Sequence, residues 1–396
     1  MGSMKLIAIT PPYFYRGEAQ AIERALTADG GFDRVHIRKP GATESEMRAL
    51  IDAIDPALRP RLTLHDCLSL APELGAGGVH LNSRNQSAPE GWSGFVSRST
   101  HSLAEAQEAA ATGLYSYIFL SPVYPSISKP GYFPPFTLDD LRGRLPRGIY
   151  ALGGVTRSRL DALEAAGFEG AAMLGAAWRR EIDPEAFSLQ FITHGDTPDE
   201  VAQGALAAVE GGCRWVQIRM KGAGAAEVEQ MALRLAPVRR QGVTLLVDDH
   251  VELAARLSCL DGVHVGKNDM PVAEARRLLG PGKILGATAN TFADLKAAAI
   301  NGADYVGLGP FRFTTTKKNL SPVLGADGYR TIMAACRRDG IALPVVAIGG
   351  ITADDIPEIL QAGVQGIAVS GTILRAESPA AMTARLVSTI QQHLKI

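Results

Sequence analysis

A series of polar side chains in the second half of the chain could bind phosphate groups and a hard metal ion. They follow short apolar segments in chain order, and they are Gln217, Arg219, Lys221, Asp248, Asp249, Asp269, Thr288, Thr314, Thr316 and Lys317. Arginine and lysine donate to phosphate oxygens, and carboxylates from adjacent strand ends can converge on an oxygen-seeking cation such as Mg2+. The combination indicates chemistry on a phosphorylated substrate.

Two glycine-containing segments predict a second anion site. "AIGGIT" at residues 347–352 contains Gly350, and "VSGT" at residues 369–372 contains Val369 and Ser370. Glycine lets an anion approach backbone amides, and barrels often bind a phosphate on such a segment. Ordinary alternatives stay open, since a glycine pair can form only a tight turn and the aspartates can cap the helices that follow.

These side chains need a scaffold that brings many strand ends to one rim. In the second half, eight short apolar segments alternate with alanine-rich amphipathic stretches, a pattern typical of alternating strands and helices. Strict alternation with continuous apolar strands indicates parallel pairing, and therefore a TIM (β/α)8 barrel with its site at the carboxyl ends of the strands. A doubly wound open sheet is the alternative α/β fold.

The first half repeats the same series of segments. "LIAIT" at residue 6 corresponds to "LQFIT" at residue 189, and "SPVYPSISK" at residue 121 corresponds to "GPFRFTTTK" at residue 309. A duplicated domain accounts for this order, so we predict two tandem TIM barrels over residues 4–180 and 189–396. The charged, proline-containing stretch "RREIDPEAFS" at residues 179–188 is predicted to be a short linker.

The bulk composition narrows the class of partner. The 396 residues include 46% hydrophobic ones and have a formal net charge of -1, which predicts small-molecule partners and no general attraction for nucleic acid or membrane. Four scattered cysteines and no leader or long apolar run predict a cytoplasmic protein without a disulfide framework. A homo-oligomer is compatible with these features. "MGS" before Met4 is interpreted as an expression scar.

The second half closely resembles the thiamine phosphate synthase family. The segments that match in order are "QIRMK", "DGVHVGKNDMP", "DYVGLGPFRFTTTKKN", "AIGGIT" and "GIAVSGTI". The resemblance implies a TIM barrel that joins hydroxymethylpyrimidine diphosphate to thiazole phosphate, releases pyrophosphate and uses Mg2+.

The resemblance also implies a role for each matching residue. Gln217 would hold the pyrimidine together with Asp248, and Arg219, Lys221 and Lys317 would bind the diphosphate. Asp249 and Asp269 match the magnesium ligands, and Thr288 supplies a hydroxyl near the reacting groups. The thiazole phosphate would be bound by Thr314, Thr316, Gly350, Val369 and Ser370. Three positions depart from the family pattern, which usually has Asn at Asp248, Ser at Thr288 and His at Asn290.

The first half is similar to the TenI-like branch of the same superfamily, whose best-known members isomerise the thiazole phosphate. Its metal site is incomplete, because Asp66 is retained but Asn85 stands where the second carboxylate is expected. Pro122 occupies the position of the tautomerase histidine. The candidate site residues that the resemblance leaves in this half are Arg38, His101, Ser126, Ser128, Lys129 and Gly154. We therefore predict a degenerate or accessory barrel.

Other functions remain open at this stage. Both barrels could bind thiazole phosphate or thiamine phosphate without turnover, as a regulator would, or the first half could be a thiazole tautomerase. A phosphate-handling isomerase is a third candidate, but the second half shows no acid-base pair at its strand ends. The combination of Arg219, Asp249, Asp269 and Lys317 favours synthase chemistry, since a sensor has no need to activate a diphosphate.

Overall fold

Each half of the chain folds into a closed barrel of eight parallel strands. The computed structural model describes residues 4–29, 31–124, 134–180, 182–313 and 323–394. The chain separates into two units between Arg179 and Arg180. The predicted pair of α/β TIM barrels is confirmed, and the alternative of an open doubly wound sheet is wrong.

The first barrel alternates strands and helices along the chain. Its strands are β1 (Lys5–Ile9), β2 (Arg34–Ile37), β3 (Leu62–Leu64), β4 (Gly78–Leu81), β5 (Phe95–Thr100), β6 (Tyr117–Leu120), β7 (Ile149–Ala151) and β8 (Gly170–Met173). Its helices are α1 (Glu18–Thr27), α2 (Glu44–Asp52), α3 (Leu70–Leu74), α4 (Leu103–Ala111), α5 (Leu138–Leu141), α6 (Leu160–Ala166) and α7 (Gly175–Trp178). Pairing of β1 with β8 closes the sheet.

The second barrel has a helix before its first strand, one between its fourth and fifth strands, where the first barrel has none, and two after its last strand. Its strands are β9 (Leu189–Ile192), β10 (Trp215–Ile218), β11 (Thr244–Asp248), β12 (Gly262–Val265), β13 (Ile284–Ala289), β14 (Tyr305–Leu308), β15 (Val345–Ile348) and β16 (Gly366–Val369). Its helices are α8 (Pro184–Ser188), α9 (Pro198–Glu210), α10 (Ala225–Leu235), α11 (Val251–Arg256), α12 (Val272–Leu279), α13 (Phe292–Ile300), α14 (Gly325–Arg338), α15 (Ile356–Gln361), α16 (Gly371–Leu374) and α17 (Pro379–Leu394). Pairing of β9 with β16 closes this sheet.

Most strands are largely apolar because both of their faces are covered. All four residues of β10, β12, β14 and β16 are buried. One face packs against the surrounding helices, and the other contributes Trp215, Leu246, Ile284 and Tyr305 to the barrel interior, where Phe187 of α8 also packs. A strand covered on both sides has no reason to alternate apolar and polar residues, which explains the continuous runs in the sequence.

Several helices begin at a sequence-encoded cap. Thr197 and Thr291 each accept a hydrogen bond from the amide three residues later, and Glu200 and Asp294 reciprocate toward the cap residue. Such capping boxes satisfy amides that the first turn leaves without a partner, so they fix where α9 and α13 begin after the strand-end loops. Among the described residues, no helix combines the length and the apolar character needed to span a bilayer.

The predicted linker over residues 179–188 is wrong for its last five residues. Asp183 caps α8, and Pro184 stands at its first position, which suits a helix start. Phe187 is 2% exposed and packs edge-to-face on Trp215 and Tyr305, with ring centroids 5.5 Å away in each case. Charge and proline suggested a loop, but they instead mark the beginning of a short helix that contributes an aromatic ring to the core of the second barrel.

Candidate active site

Asp248 holds two of the predicted substrate-binding side chains at the rim of the second barrel. Gln217 points inward from β10, is 3% exposed, and donates through Nε2 to the Asp248 carboxylate. Nε of Arg219 lies 3.4 Å from Oδ2 of Asp248. Thr193, at the end of β9, accepts from the Arg219 amide at 2.8 Å and donates to the Arg219 carbonyl at 3.0 Å. The ends of β9, β10 and β11 therefore position one amide and one guanidinium.

The same network continues across the barrel to Thr288. The hydroxyl of Tyr305 donates to Oε1 of Gln217 at 3.4 Å and lies 3.0 Å from Nδ1 of His264. Nε2 of His264 lies 3.0 Å from Oγ1 of Thr288. Burial, together with the nearby Asp248 charge, raises the pKa of Tyr305 well above its usual range. This phenol therefore stays protonated and orients the carboxamide of Gln217.

Tyr305 is a residue that sequence reasoning missed. It is the first residue of β14, at the opposite end of the strand from the polar segment, and a tyrosine in an apolar strand reads as core. The repeat carries a signal that could have found it, since Tyr117 begins the corresponding strand β6. Tyrosine at the same place in both halves, in contact with a histidine of another strand in each, indicates a shared polar layer.

The two predicted metal ligands lie at the ends of adjacent strands. Asp249 follows β11 with φ of 65° and donates its amide to the carbonyl of His264 at 2.9 Å. Asp269 follows β12, and its Oδ2 accepts from the Gly266 amide at 2.8 Å. Neither α11 nor α12 begins with a side-chain cap, so the capping alternative for these aspartates is wrong. Both residues are exposed at the rim.

This pair of carboxylates fits a magnesium ion in its chemistry. Mg2+ prefers oxygen ligands and usually keeps several waters or phosphate oxygens beside one or two carboxylates. In the described part of the chain, Asp249 and Asp269 do not belong to any close group of three ligating side chains. A left-handed backbone at Asp249 is unfavourable for most residues but tolerable for aspartate, and such strain is concentrated at functional sites.

Asn290, one of the departures from the family pattern, fastens two strand-end loops together. Its Nδ2 donates to the carbonyl of Gly309 at 2.5 Å, and its amide donates to Asp294 at 3.0 Å. Asp294 also pairs with Lys267, whose Nζ lies 2.9 Å from its Oδ2. The loops after β12, β13 and β14 are thus connected through one carboxylate and one amide.

The glycine-rich segment after β15 has the backbone that only glycine adopts readily. Gly349 and Gly350 have φ of 102° and 68°. A Cβ on Gly349 would lie 2.7 Å from Cβ of Pro310, and one on Gly350 would lie 2.5 Å from Cγ of Arg312. Positive φ and close approach of neighbouring atoms both disfavour side chains here, which fits a tight turn as well as a segment that an anion can approach.

An arginine that the sequence analysis did not assign supports this segment. Arg312 makes a two-pronged ion pair with Asp355, at 2.9 and 2.6 Å, and donates to the carbonyl of Gly350 at 3.1 Å. Thr372 donates to the carbonyl of Ile351 at 2.5 Å, which links the loop after β15 to α16. Val369 ends β16 and Ser370 precedes α16, so both follow the strand that pairs with β15.

The remaining predicted residues are divided between the rim and undescribed segments. Lys221 is exposed just beyond the end of β10. Thr314, Thr316 and Lys317 lie outside the described residues. The structure therefore brings together Gln217, Arg219, Asp248 and Thr288 through one network and leaves the predicted phosphate threonines untested.

Comparison with known families shows to which family the chain belongs. The family described as thiamine monophosphate synthase matches the chain twice, over residues 6–177 and 189–373. The chain belongs to the thiamine monophosphate synthase family. As a family, thiamine phosphate synthases depend on a metal.

Individual members of the thiamine monophosphate synthase family match about half of the chain. The thiamine-phosphate synthase of Bacteroides thetaiotaomicron is 58% identical over 202 residues, covering 51% of this chain and 96% of that protein. That of Phocaeicola vulgatus is 53% identical over 208 residues, covering 52% of this chain and all of that protein. The solved thiamine phosphate pyrophosphorylase of Pyrococcus furiosus is 30% identical, covers 53% of this chain and 98% of its own, and has a TM-score of 0.47.

The first barrel of this thiamine monophosphate synthase family member lacks the second barrel's exposed rim lysine. Lys39, the nearest lysine after β2, is 1% exposed and donates to Glu18 at 2.6 Å and to the carbonyls of Pro11 and Tyr13 at 2.8 and 2.6 Å. Burial raises the pKa of Glu18 to about 6 and lowers the pKa of Lys39. The lysine is therefore a structural ion-pair partner inside the barrel.

The carboxylate retained in the first barrel is paired with an arginine. Oδ1 of Asp66 accepts from Nη2 and Nε of Arg84 at 2.8 and 3.2 Å, and Oδ2 accepts from the Lys39 amide at 3.0 Å. Asn85, at the place of the second metal ligand, donates to the carbonyl of His65 at 3.0 Å. A guanidinium thus neutralises the carboxylate that corresponds by sequence to Asp249.

The first barrel has an aromatic ring at a position where the second barrel has a glycine. Phe119 on β6 is fully buried and its ring lies 5.2 Å from that of His36 and 5.5 Å from that of His80. The corresponding residue of β14 is Gly307, because Phe119 pairs with Ser99 and Gly307 pairs with Thr288 at the same register. A planar substrate ring that fits beside Gly307 would meet the Phe119 side chain.

The other candidate residues of the first half are dispersed. His101 is exposed, and its Nδ1 lies 3.0 Å from the carbonyl of Ser121, a structural hydrogen bond. Gly154 accepts from Arg159 at 2.5 Å through its carbonyl, and Arg38 is half-buried after β2. Ser126, Ser128 and Lys129 lie outside the described residues.

Proposed function

We propose that the second barrel is a thiamine phosphate synthase, which joins hydroxymethylpyrimidine diphosphate to thiazole phosphate and releases pyrophosphate. The observation that carries this proposal is the hydrogen-bonded network of Gln217, Asp248 and Arg219 beside two exposed carboxylates on adjacent strand ends. Family membership and the named synthases at 53% and 58% identity support the same reaction.

The residues of the network suit recognition of the pyrimidine ring. Gln217 is fixed by Tyr305 on one side and Asp248 on the other, so its carboxamide presents a single orientation. Gly307 has no side chain, and a Cβ there would lie 3.1 Å from Cε1 of His264. We assign this space to the aminopyrimidine, held by Gln217 with Asp248 and Thr288 at its edges.

Diphosphate departure requires positive charge at the opposite end of the substrate. We assign Arg219 and Lys221 to the diphosphate, together with Lys317 from the loop outside the described residues. Loss of pyrophosphate leaves a carbocation that the electron-rich aminopyrimidine stabilises, and the thiazole nitrogen then bonds to that carbon. This chemistry needs orientation and charge stabilisation but no protein nucleophile.

We assign Asp249 and Asp269 to Mg2+. The two carboxylates are exposed, lie at the ends of β11 and β12 and have the donor chemistry that this ion prefers. The bound ion would supply positive charge to the departing diphosphate. The role of the chain is to hold the two carboxylates, by the left-handed backbone at Asp249 and by the Gly266 amide at Asp269.

We assign the phosphate of the thiazole substrate to the segments after β15 and β16. Gly350, Val369 and Ser370 provide backbone amides there, and Thr314 and Thr316 complete the site by the family resemblance. Arg312 and Asp355 brace the loop and are assigned a positioning role. Two anions would therefore bind on opposite sides of the rim, with the reacting carbon and nitrogen between them.

We further propose that the first barrel is accessory and has no synthase activity. Asp66 is paired with Arg84, Lys39 is buried, and Phe119 fills the space that Gly307 leaves open in the second barrel. Each change removes one requirement for the synthase reaction. The chain as a whole is proposed to act on small molecules in the cytoplasm.

The activity assay uses the full chain with both substrates. We expect thiamine phosphate and pyrophosphate in equal amounts with Mg2+, and loss of both products after chelation with restoration by added Mg2+. The two products are measured separately, by thiochrome fluorescence and by a coupled pyrophosphate assay. A correctly folded chain that forms neither product under these conditions contradicts the proposal.

A further inference from the structure

Three buried histidines converge inside the first barrel, outside every site assigned above. His36 lies on β2, His65 directly follows β3, and His80 lies on β4. They are 0%, 5% and 2% exposed, and each offers a ring nitrogen within 4.8 Å of those of the other two. Among the described residues, these three histidines are the group of metal-ligating side chains that lie close enough together to hold one ion.

The cluster is specific to the first barrel. By strand register, the residues of the second barrel at these places are Gln217, Asp248 and His264. There, a carboxamide and a carboxylate satisfy each other, and only one imidazole is present. The first barrel has replaced both partners by imidazoles at the same layer, which changes the donor set from oxygen to nitrogen.

The protonation state of the cluster suits metal binding. Burial lowers the pKa of His36 and His65 well below their usual range and lowers that of His80 to about 3. All three rings are therefore neutral at physiological pH, and a neutral imidazole has the lone pair that a metal ion needs.

Outer partners already orient two of the rings. Nε2 of His36 lies 2.6 Å from the hydroxyl of Tyr117, and Nδ1 of His80 lies 2.9 Å from Oγ of Ser97. In metal sites the nitrogen that does not bind the ion commonly donates to such a partner, which fixes the tautomer. The remaining nitrogen of His36 lies against His65, and that of His80 lies 3.1 Å from Oγ of Ser99, a hydrogen bond that a bound ion would replace.

Two of the ligand nitrogens share a space that an ion could take. Nδ1 of His36 lies 2.8 Å from Nε2 of His65, so one proton lies between two lone pairs. Two nitrogens on one tetrahedral Zn2+ stand about 3.3 Å apart, given bonds of about 2.0 Å. If the two nitrogens moved apart by about 0.5 Å, the ion could replace the proton between them. The rings of His65 and His80, stacked at 4.0 Å, must also turn.

Four arginines around the cluster determine which class of metal ion it can bind. Arg38 and Arg84 act on His65 and His80, Arg34 acts on His36, and Arg98 acts on His80, in each case disfavouring added positive charge. A weakly bound hard cation such as Mg2+ is therefore excluded. An ion with high affinity for imidazole, such as Zn2+ or Co2+, overcomes this field when an anion such as hydroxide or phosphate takes its fourth position.

We propose that His36, His65 and His80 form a three-histidine site for a divalent transition metal in the first barrel, with an anion as the fourth ligand. The site lies at the carboxyl end of β3, where ligands reach TIM barrels. It differs from the magnesium site of the second barrel in ligand type, in ion and in position in the chain.

The test is a Co2+ titration of the full chain after chelator treatment, in excess Mg2+ to occupy oxygen ligands. We expect one Co2+ per chain by elemental analysis and the visible absorption of a four-coordinate ion, displaced by Zn2+. His36→Gln, which installs the residue of the second barrel, should weaken binding by at least about 100-fold, while the exposed control His101→Ala leaves it unchanged.

A second variant tests the proposal even if His36→Gln fails to fold. Tyr117→Phe removes the hydroxyl that contacts His36, and with it the hydrogen bonds to Thr63 and Ser97. It should weaken Co2+ binding by about 10-fold or more while the melting temperature of the metal-free chain is monitored. The proposal is overturned if the wild-type chain binds no stoichiometric Co2+, or if both His36→Gln and Tyr117→Phe bind it as the wild type does. In that case the three rings are a hydrogen-bonded core layer only.

Discussion

At the scale of single residues, Asp248 is the most informative departure from the family pattern. Its carboxylate contacts both Gln217 and Arg219, the side chains assigned to the two ends of the pyrimidine substrate. A negative charge beside a diphosphate is repulsive, so substrate binding must pull Arg219 away from it. Asp248 therefore competes with the substrate for its own binding groups.

Replacing Asp248 by Asn should relieve this competition. Asp248→Asn keeps a partner for Gln217 but releases the Arg219 guanidinium, so we expect the KM for the pyrimidine diphosphate to fall about three-fold or more, with kcat changed less. Steady-state kinetics at saturating Mg2+ measure both. The exposed ion-pair residue Asp199, replaced by Asn, serves as the control. An increased KM in Asp248→Asn would show that the contact of the carboxylate with the pyrimidine outweighs its competition for Arg219.

Gly307 gives a second residue-scale prediction. A Cβ at this position would lie 3.1 Å from Cε1 of His264, in the space assigned to the pyrimidine. Gly307→Ala should therefore lower kcat/KM for the pyrimidine diphosphate by about 10-fold, because a small displacement of a bound ring costs much of its alignment. Phe119→Leu, the matched change in the first barrel, should leave the rate unaltered. If both variants have the same rate, the pyrimidine does not bind in this space.

The sequence indicated many of the site residues but not their partners. Asp249 and Asp269 could be placed on the rim because they end apolar segments, and position at a strand end needs no contact information. The pairing of Arg84 with Asp66 could not be foreseen, since it depends on the path of a loop. The same holds for Phe119, which reads as ordinary core until the register shows that it stands where the second barrel has Gly307.

At the scale of elements, the strand ends carry the candidate site residues, and short helices complete the barrels. The alternation of apolar runs with alanine-rich stretches predicted all eight strands of the second barrel, because continuous burial leaves a clear signal. The helix α8 left no such signal. Five residues are too few for a visible period, and proline and charge at its start resemble a linker.

The role of α8 can be tested through Phe187. Removing its ring would leave a cavity against Trp215 and Tyr305, so Phe187→Ala should lower the free energy of unfolding of the second barrel by about 3 kcal/mol or more. Urea unfolding followed by circular dichroism measures this change, and Leu206→Ala, which truncates a half-exposed side chain, is the control. If the free energy of unfolding falls no more in Phe187→Ala than in Leu206→Ala, these residues act only as a linker.

The buried ion pair of the first barrel predicts a dependence on pH. Burial raises the pKa of Glu18 to about 6 from an ordinary 4.5, so its contribution to stability is fully present below pH 4.5 and is lost as the pH rises through about 6. The shift corresponds to about 2 kcal/mol, and Glu18→Gln should remove it.

Hydrogen exchange resolves this effect for the first barrel alone. Amides of β1 and β2, corrected for intrinsic rates, should gain protection in the wild type relative to Glu18→Gln as the pH falls from 7 to 4.5. Glu73→Gln, which removes an exposed partner of Arg48, is the matched control. Identical pH profiles for the wild type and Glu18→Gln would mean that this carboxyl titrates as it does in the unfolded chain.

At the scale of the whole molecule, two copies of one fold have taken different chemical paths. Both keep a tyrosine on the sixth strand and a histidine on the fourth, but Tyr117 contacts His36 of β2 whereas Tyr305 contacts His264 of β12. The second copy has carboxylates and a glycine around this layer. The first has a guanidinium, an aromatic ring and three imidazoles there. Duplication could be read from the sequence, whereas this divergence required the register of each strand.

The measurement that tests the account most directly is synthase activity after matched changes at the metal position of each barrel. Asp269→Asn in the second barrel should reduce thiamine phosphate formation by about 100-fold or more at saturating Mg2+, with the fold intact by circular dichroism. Asn85→Ala, the corresponding change in the first barrel, should leave the rate at the wild-type value. Normal activity in Asp269→Asn, or loss of activity in Asn85→Ala alone, would contradict the assignment of the reaction to the second barrel.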